Sequence, residues 1–150
     1  MISAWFWESP DPPKIGKKTI QIAGITKGSG MIAPNMATTL GFLVTNVKLT
    51  QESLQQCLTK AINKSYNMLS VDTDTSTNDM IVCFASGEYA INQHDPEHIN
   101  AFQKCLDEAC IDLAMQIAKD GEGATKLIEV RVINAARYSD AQQIAKQVCD

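Results

Sequence analysis

Lys27-Gly-Ser-Gly-Met-Ile-Ala-Pro-Asn-Met-Ala-Thr38 is the stretch of this chain best equipped for chemistry. It combines a lysine, two close glycines, a proline and an Ala37–Thr38 bond directly ahead of an apolar run. A plain turn needs glycine or proline. It does not need an apolar Met31-Ile32-Ala33 within it, nor a small residue immediately before a threonine that opens a buried strand. The arrangement suits a threonine that cuts its own peptide bond and then serves as an amino-terminal nucleophile.

Other chemistries fit these residues less well. Gly28-x-Gly30-x-x-Ala33 imitates a dinucleotide fingerprint, but Pro34 and Asn35 oppose the helix that would receive the pyrophosphate. Lys27 precedes the glycines, whereas a phosphate-binding loop of the Walker type needs its lysine after them. Asp72-x-Asp74-x-Ser76-x-Asn78 starts like a calcium loop, yet Thr77 and Cys83 replace the glycine and glutamate that calcium requires. A polar loop with side chain–backbone hydrogen bonds is the simpler expectation there. His94 and His98 flank a helix start without a third ligand, so no metal site is expected. A serine–histidine triad has no nucleophile elbow to stand on.

The elements that must position the loop follow from periodicity. Residues 19–26 are β-rich and partly alternating, and residues 38–47 form a second, buried apolar run. Thr50 can cap a helix whose Leu54, Cys57, Leu58, Ala61, Ile62 and Leu69 recur on one face. Residues 70–79 read as a polar loop, and residues 80–84 as a short strand closed by Ser86-Gly87. Asp95-Pro96 starts the clearest amphipathic helix, with a stripe from Ile99 through Phe102, Leu106, Ala109, Cys110 and Leu113 to Ile117. Gly121 and Gly123 end it. Residues 127–133 alternate as a half-exposed strand should, and Ser139 with Gln142 forms a capping box for a last helix. This order predicts an α/β layer structure.

The totals narrow the function classes. A chain of 150 residues with 45% hydrophobic content is one domain's worth with a real core. The net charge of −4, without a basic patch carrying interleaved aromatics, argues against a nucleic-acid partner. No stretch approaches the length of a membrane span. The apolar start is short, lacks a basic leader and runs into Glu8 and a proline cluster, so it is not read as a signal peptide. The five cysteines form no C-x-x-C and mostly occupy apolar positions, as free thiols of a cytoplasmic protein would. The expected division is a proline-bearing leader over residues 1–18 and the main domain over 19–150.

Three segments then carry a resemblance. Residues 27–38 resemble the self-processing motif of the ornithine acetyltransferases, the bifunctional glutamate N-acetyltransferases of arginine biosynthesis. Ser70-Val-Asp-Thr-Asp-Thr-Ser-Thr-Asn-Asp79 resembles that family's acidic, threonine-rich segment, and Asp120-Gly-Glu-Gly-Ala-Thr-Lys126 its short glycine motif. They stand in family order and spacing. The resemblance implies a mixed sheet layered with helices, in an amino-terminal-nucleophile, aminopeptidase-related fold that is incomplete here. It implies cleavage between Ala37 and Thr38. The Thr38 hydroxyl would then take an acetyl group from N-acetylornithine, release ornithine, and pass the acetyl group to glutamate. A freed threonine α-amine, with a pKa of roughly 7.7–8.0, can accept the hydroxyl proton without a histidine. Lys27 carries over as a contact for a substrate carboxylate, and Glu122, between two glycines, as a contact for a substrate ammonium. No cofactor and no metal are implied. Association of the self-cleaved chains and a higher oligomer are implied for the complete enzyme.

The chain also departs from that family. No threonine–glycine pair of the kind used as an oxyanion hole lies upstream of Lys27, and losing one such donor costs on the order of 10²–10³ in turnover. A later segment with asparagine and threonine contacts to substrate is also absent. Thr73 stands where the family has glycine, and Asn46 where aspartate is expected. These departures predict weak transfer by the isolated chain, and a sheet with an exposed edge and an apolar open face. Two alternatives stay open: a related amino-terminal-nucleophile hydrolase or aminopeptidase, and a non-catalytic module that keeps the fold alone.

Overall fold

The computed structural model describes residues 4–28, 39–70, 79–121 and 123–149. The elements in order are β1 (Ala4–Glu8), β2 (Lys14–Ile15), β3 (Lys18–Thr19), β4 (Ile22–Lys27) and β5 (Leu40–Lys48). They are followed by α1 (Gln51–Lys64), a 3-10 turn (Tyr66–Met68), β6 (Met80–Ala90), α2 (Pro96–Lys119) and α3 (Tyr138–Cys149). Four strands make one mixed sheet in the order β1-β4-β5-β6, antiparallel except for the parallel β5–β6 pair. A parallel pair needs a crossover, and α1 lies within it. β2 and β3 form a small hairpin of their own, turned at Gly16 with φ 64.

The helices begin where their caps dictate. The Thr50 hydroxyl accepts the Ser53 amide proton at 3.3 Å, and the Asp95 carboxylate accepts that of Glu97 at 2.9 Å, with Pro96 in the first turn. α2 buries Phe102, Cys105, Leu106, Ala109, Cys110, Leu113, Ala114 and Ile117 along one side. That side lies on β1 and β4, and α1 packs beside α2. Gly24 lets helix and strand approach closely, because a Cβ there would lie 2.6 Å from Leu43 Cδ2 and 2.8 Å from Leu113 Cδ1.

Asn46 accounts for its own departure from aspartate. Its Oδ1 accepts the Gln21 amide proton at 2.9 Å while its Nδ2 donates to the Thr19 carbonyl at 3.0 Å. A carboxylate could make only the first of these bonds.

One face of the sheet is covered by helices and the other is open. Alternation along the strands puts Trp7, Ile22, Leu43 and Val47 on the buried side. Phe6, Ile25, Phe42, Val44, Met80 and Phe84 are exposed on the opposite side, with Phe6, Ile25 and Phe42 in one cross-strand row. The apolar open face expected from the sequence is therefore present.

Several expectations need correction. β6 does not close at Ser86-Gly87. It runs to Ala90, because a register shift opposite Asn46 and the φ of 76 at Gly87 absorb the extra residues and let pairing resume at Val47–Tyr89. Residues 127–133 form no strand. Their alternation marks a sidedness, but a ladder needs a neighbouring strand, and none among the described residues borders them. α3 starts at Tyr138, so Ser139 sits inside the helix rather than capping it, and the Ala141 amide donates to the Arg137 carbonyl at 3.2 Å. Residues 4–8, read in sequence as part of a leader, form an edge strand paired along β4. The thiols are all free; Cys57, Cys105 and Cys110 are buried and Cys83 half-buried, but Cys149 is exposed.

Candidate functional site

The 27–38 segment joins two strands that are neighbours in the sheet. Lys27 at the end of β4 faces Leu40 at the start of β5, so the connection begins and ends on one edge of the same antiparallel pair. Ala37 and Thr38 lie outside the described residues, as does Glu122. What the structure gives is the set of anchors on either side of them.

On the upstream side, Lys27 is half-buried and Gly28 is buried. Lys27 alternates with the exposed Ile25, so its side chain belongs to the open face, opposite that of the buried Thr26. Its ammonium forms no ion pair with any described residue.

The downstream side is held tightly. Thr39 is buried; its amide donates to Asp79 Oδ1 at 2.7 Å, and its carbonyl accepts the Met80 amide proton at 3.0 Å. The Thr26 hydroxyl donates to the Leu40 carbonyl at 3.1 Å, which ties the first residue of β5 back to β4. Burial raises the Asp79 pKa above the ordinary carboxylate value, and the Thr39 N–H offsets part of that shift. Behind Thr26 lies the buried Tyr66 phenol. Burial pushes its pKa well above 10, and the nearby Thr26 hydroxyl offsets part of the shift, although the two do not meet at good hydrogen-bond geometry.

α2 runs towards the same end of the sheet. Cys105 Sγ lies 3.7 Å from the hydroxyl of Ser9, and the Ser9 amide donates to the Ile22 carbonyl. Farther along, Leu113 meets Gly24. The helix thus advances along β4 from Ile22 towards Lys27. The turns of α2 that follow Leu113 continue in that direction to Lys119. Beyond it Gly123 has φ 73, and the Ala124 amide donates to the Gly121 carbonyl at 2.9 Å.

The fold thus gathers Lys27 and the Asp79–Thr39 pair at one end of the sheet, with α2 running towards that end. Asp79 is the residue that sequence reasoning missed as an individual. The only local signal was its place as the last residue before β6. A separate cleft of about 300 Å³ lies between α2 and α3, lined by Met68, Leu69, Ile111, Met115, Leu127 and Ala145 among others, and it includes none of these anchors. No helix among the described residues is long and apolar enough to cross a membrane.

The class of domain is a mixed α/β sheet, covered by helices on one face, whose central antiparallel pair β4–β5 meets the start of β6 through Thr39. The ArgJ family pattern matches residues 11–150, and the chain belongs to that family. It is 49% identical over 136 residues to the arginine biosynthesis bifunctional protein ArgJ of Halalkalibacterium halodurans, covering 89% of this chain and 33% of that protein. It is likewise 49% identical over 138 residues to the protein of the same name from Symbiobacterium thermophilum, covering 91% and 34%. The crystal structure of the arginine biosynthesis bifunctional protein from Bacillus halodurans aligns with a TM-score of 0.66 at 46% identity, covering 71% of this chain and 51% of that one. The chain spans about a third of the length of the curated relatives it matches.

Proposed function

We propose that this chain carries the nucleophile-bearing part of an acetyltransferase that moves an acetyl group from N-acetylornithine to glutamate. The observation that carries the reading is the convergence of the flanks of the first two motifs at one end of the sheet, with α2 running towards it, in a chain of the ArgJ family. The names of the relatives supply arginine biosynthesis as the setting.

The chemistry runs in two stages. In the first, the Thr38 hydroxyl attacks the Ala37 carbonyl, and the peptide bond becomes an ester through an N-to-O shift. Water then hydrolyses the ester, leaving a carboxylate on Ala37 and a free α-amine on Thr38. In the second, that amine accepts the hydroxyl proton while the oxygen attacks the acetyl carbonyl. Ornithine leaves with a proton on its nitrogen, and the α-amine of glutamate later takes the acetyl group from the threonine ester. The Lys27 ammonium would hold a substrate α-carboxylate, and the Glu122 carboxylate a substrate ammonium. Free thiols suit a reducing compartment, so the cytoplasm is the setting we assign. Self-cleaved pieces would stay associated, and a higher oligomer of the complete enzyme belongs to the same reading.

Intact mass of the purified chain tests the first stage. Two pieces meeting between Ala37 and Thr38, with Thr38→Ala remaining whole, support it. A wild-type chain that stays in one piece locks the amine in a peptide bond and removes its role as base. Acetyl transfer from labelled N-acetylornithine to glutamate by the split material tests the second stage.

A further inference from the structure

We infer that Asp79 is a positioning residue for the Ala37–Thr38 junction, holding the peptide that follows Thr38 in one orientation before and after the chain is cut. This deepens the self-scission reading above and rests on it. The geometry is specific. Asp79 Oδ1 accepts the Thr39 amide proton at 2.7 Å, from a residue 40 positions away in sequence. The next backbone amide, Met80, donates to the carbonyl of the same Thr39 at 3.0 Å. Thr39 is thus gripped through its own N–H and its own C=O by two consecutive residues at the start of β6.

The Thr39 nitrogen belongs to the peptide plane that also contains the Thr38 carbonyl. A peptide unit is planar, so fixing the Thr39 N–H fixes the carbonyl of Thr38 with it. The Thr38 α-carbon belongs to the same plane, so a single backbone torsion, about the Cα–C bond, is left to set the amine and the hydroxyl-bearing β-carbon against it. Before scission that constraint narrows the search for the attack geometry. After scission it matters more. The new terminus has lost its covalent tether on the Ala37 side, and chain ends fray unless tied down. The Asp79 carboxylate then holds the terminal strand at the residue adjoining the reactive one. A loosely held nucleophile is costly, since misplacement by about 1 Å can lower rates by roughly a hundredfold.

The role requires an acceptor at Oδ1 and not a negative charge, and this sets the test. The rate of scission of the full chain is followed by intact mass for wild type, Asp79→Asn and Asp79→Ala, with thermal unfolding of each measured alongside. Asparagine retains an acceptor oxygen at the same place. The expected result is scission within a few-fold of wild type for the asparagine variant and a loss of roughly tenfold to a hundredfold for the alanine variant, with both melting as folded proteins. Wild-type scission by the alanine variant overturns the inference. So does an asparagine variant as slow as alanine, which would assign the effect to charge. Should the alanine variant fail to fold, Asp79→Glu replaces it. Its carboxylate reaches one methylene farther, so slowed scission supports the positioning role and unchanged scission overturns it. A wild-type chain that never splits overturns the scission reading itself and takes this inference with it, whereas wild-type splitting with an indifferent Asp79 removes the inference alone.

Discussion

The two faces of the central sheet are built from similar residues and have opposite fates. Phe102 of α2 and Phe84 of β6 are both apolar and aromatic, yet Phe102 is 0% exposed and Phe84 56%. On the helix side, Ile22, Leu43 and Val47 join the stripe of α2 in one buried cluster, and Gly24 lets strand and helix close up. On the other side, Phe6, Ile25, Phe42 and Val44 form an equally apolar surface that no described element covers. Hydrophobicity alone therefore does not say which face stabilises this fold. Burial does, because the free energy follows the area removed from water.

The contrast is sharpest for truncations on the covered side. Phe102→Ala leaves a void on the buried side of α2, beside Leu106 one turn on, and should cost about 3–5 kcal/mol in urea or thermal unfolding. Gly24→Val should cost about 1–3 kcal/mol, since its Cβ must displace Leu43 and Leu113 from contacts that would otherwise fall below 3 Å. Equal stability of wild type and Gly24→Val would show that strand and helix are less closely apposed than described.

The covered-side thiols add a pH dependence. Burial pushes Cys110 up to about 12 and Cys83 up to about 11. In the folded state they hold their protons to higher pH than in the unfolded chain, where a thiol ionises near ~8.5. Between those values the folded state binds more protons, so stability falls as pH rises above about 9. Denaturation midpoints at pH 7 and 10 should show the loss, and Cys110→Ala together with Cys83→Ala should flatten it. Exposed Cys149 should be alkylated first in the native protein.

The smallest stability effects belong to the open side. Phe84→Ser should change unfolding free energy by no more than about 0.5 kcal/mol, while lowering the binding of a hydrophobic dye and any self-association seen by light scattering. A loss as large as that of Phe102→Ala would mean the open face is not open in solution, and the comparison would break.

These two faces also mark how far the sequence could be read. The α2 stripe was legible because one helix face was buried and the other polar, and Thr50 and Asp95 announced their helices through local cap chemistry. The strands were legible as strands, but Ile25 and Phe42 looked no different from Ile22 and Leu43. Burial is decided by what packs above a strand, which its own residues do not encode. The 127–133 alternation failed for the same reason, since pairing needs a second strand. At the site, Lys27, Ala37, Thr38 and Glu122 were picked out by motif, whereas the Asp79–Thr39 bond spans 40 positions and no local pattern reports it. Residues 4–8 were too few to display a period, and only their register with β4 made them a strand.

The in-register pairing of β4 with β5 has a further consequence for any molecule opened between Gly28 and Thr39. Its upstream piece would supply β1 and β4 and its downstream piece β5, β6 and the helices, so the sheet and the α2 contact would form a seam between two polypeptides. Folding of such a nicked protein is bimolecular, and its melting temperature would climb with total concentration. The two pieces, made separately, should find each other on mixing.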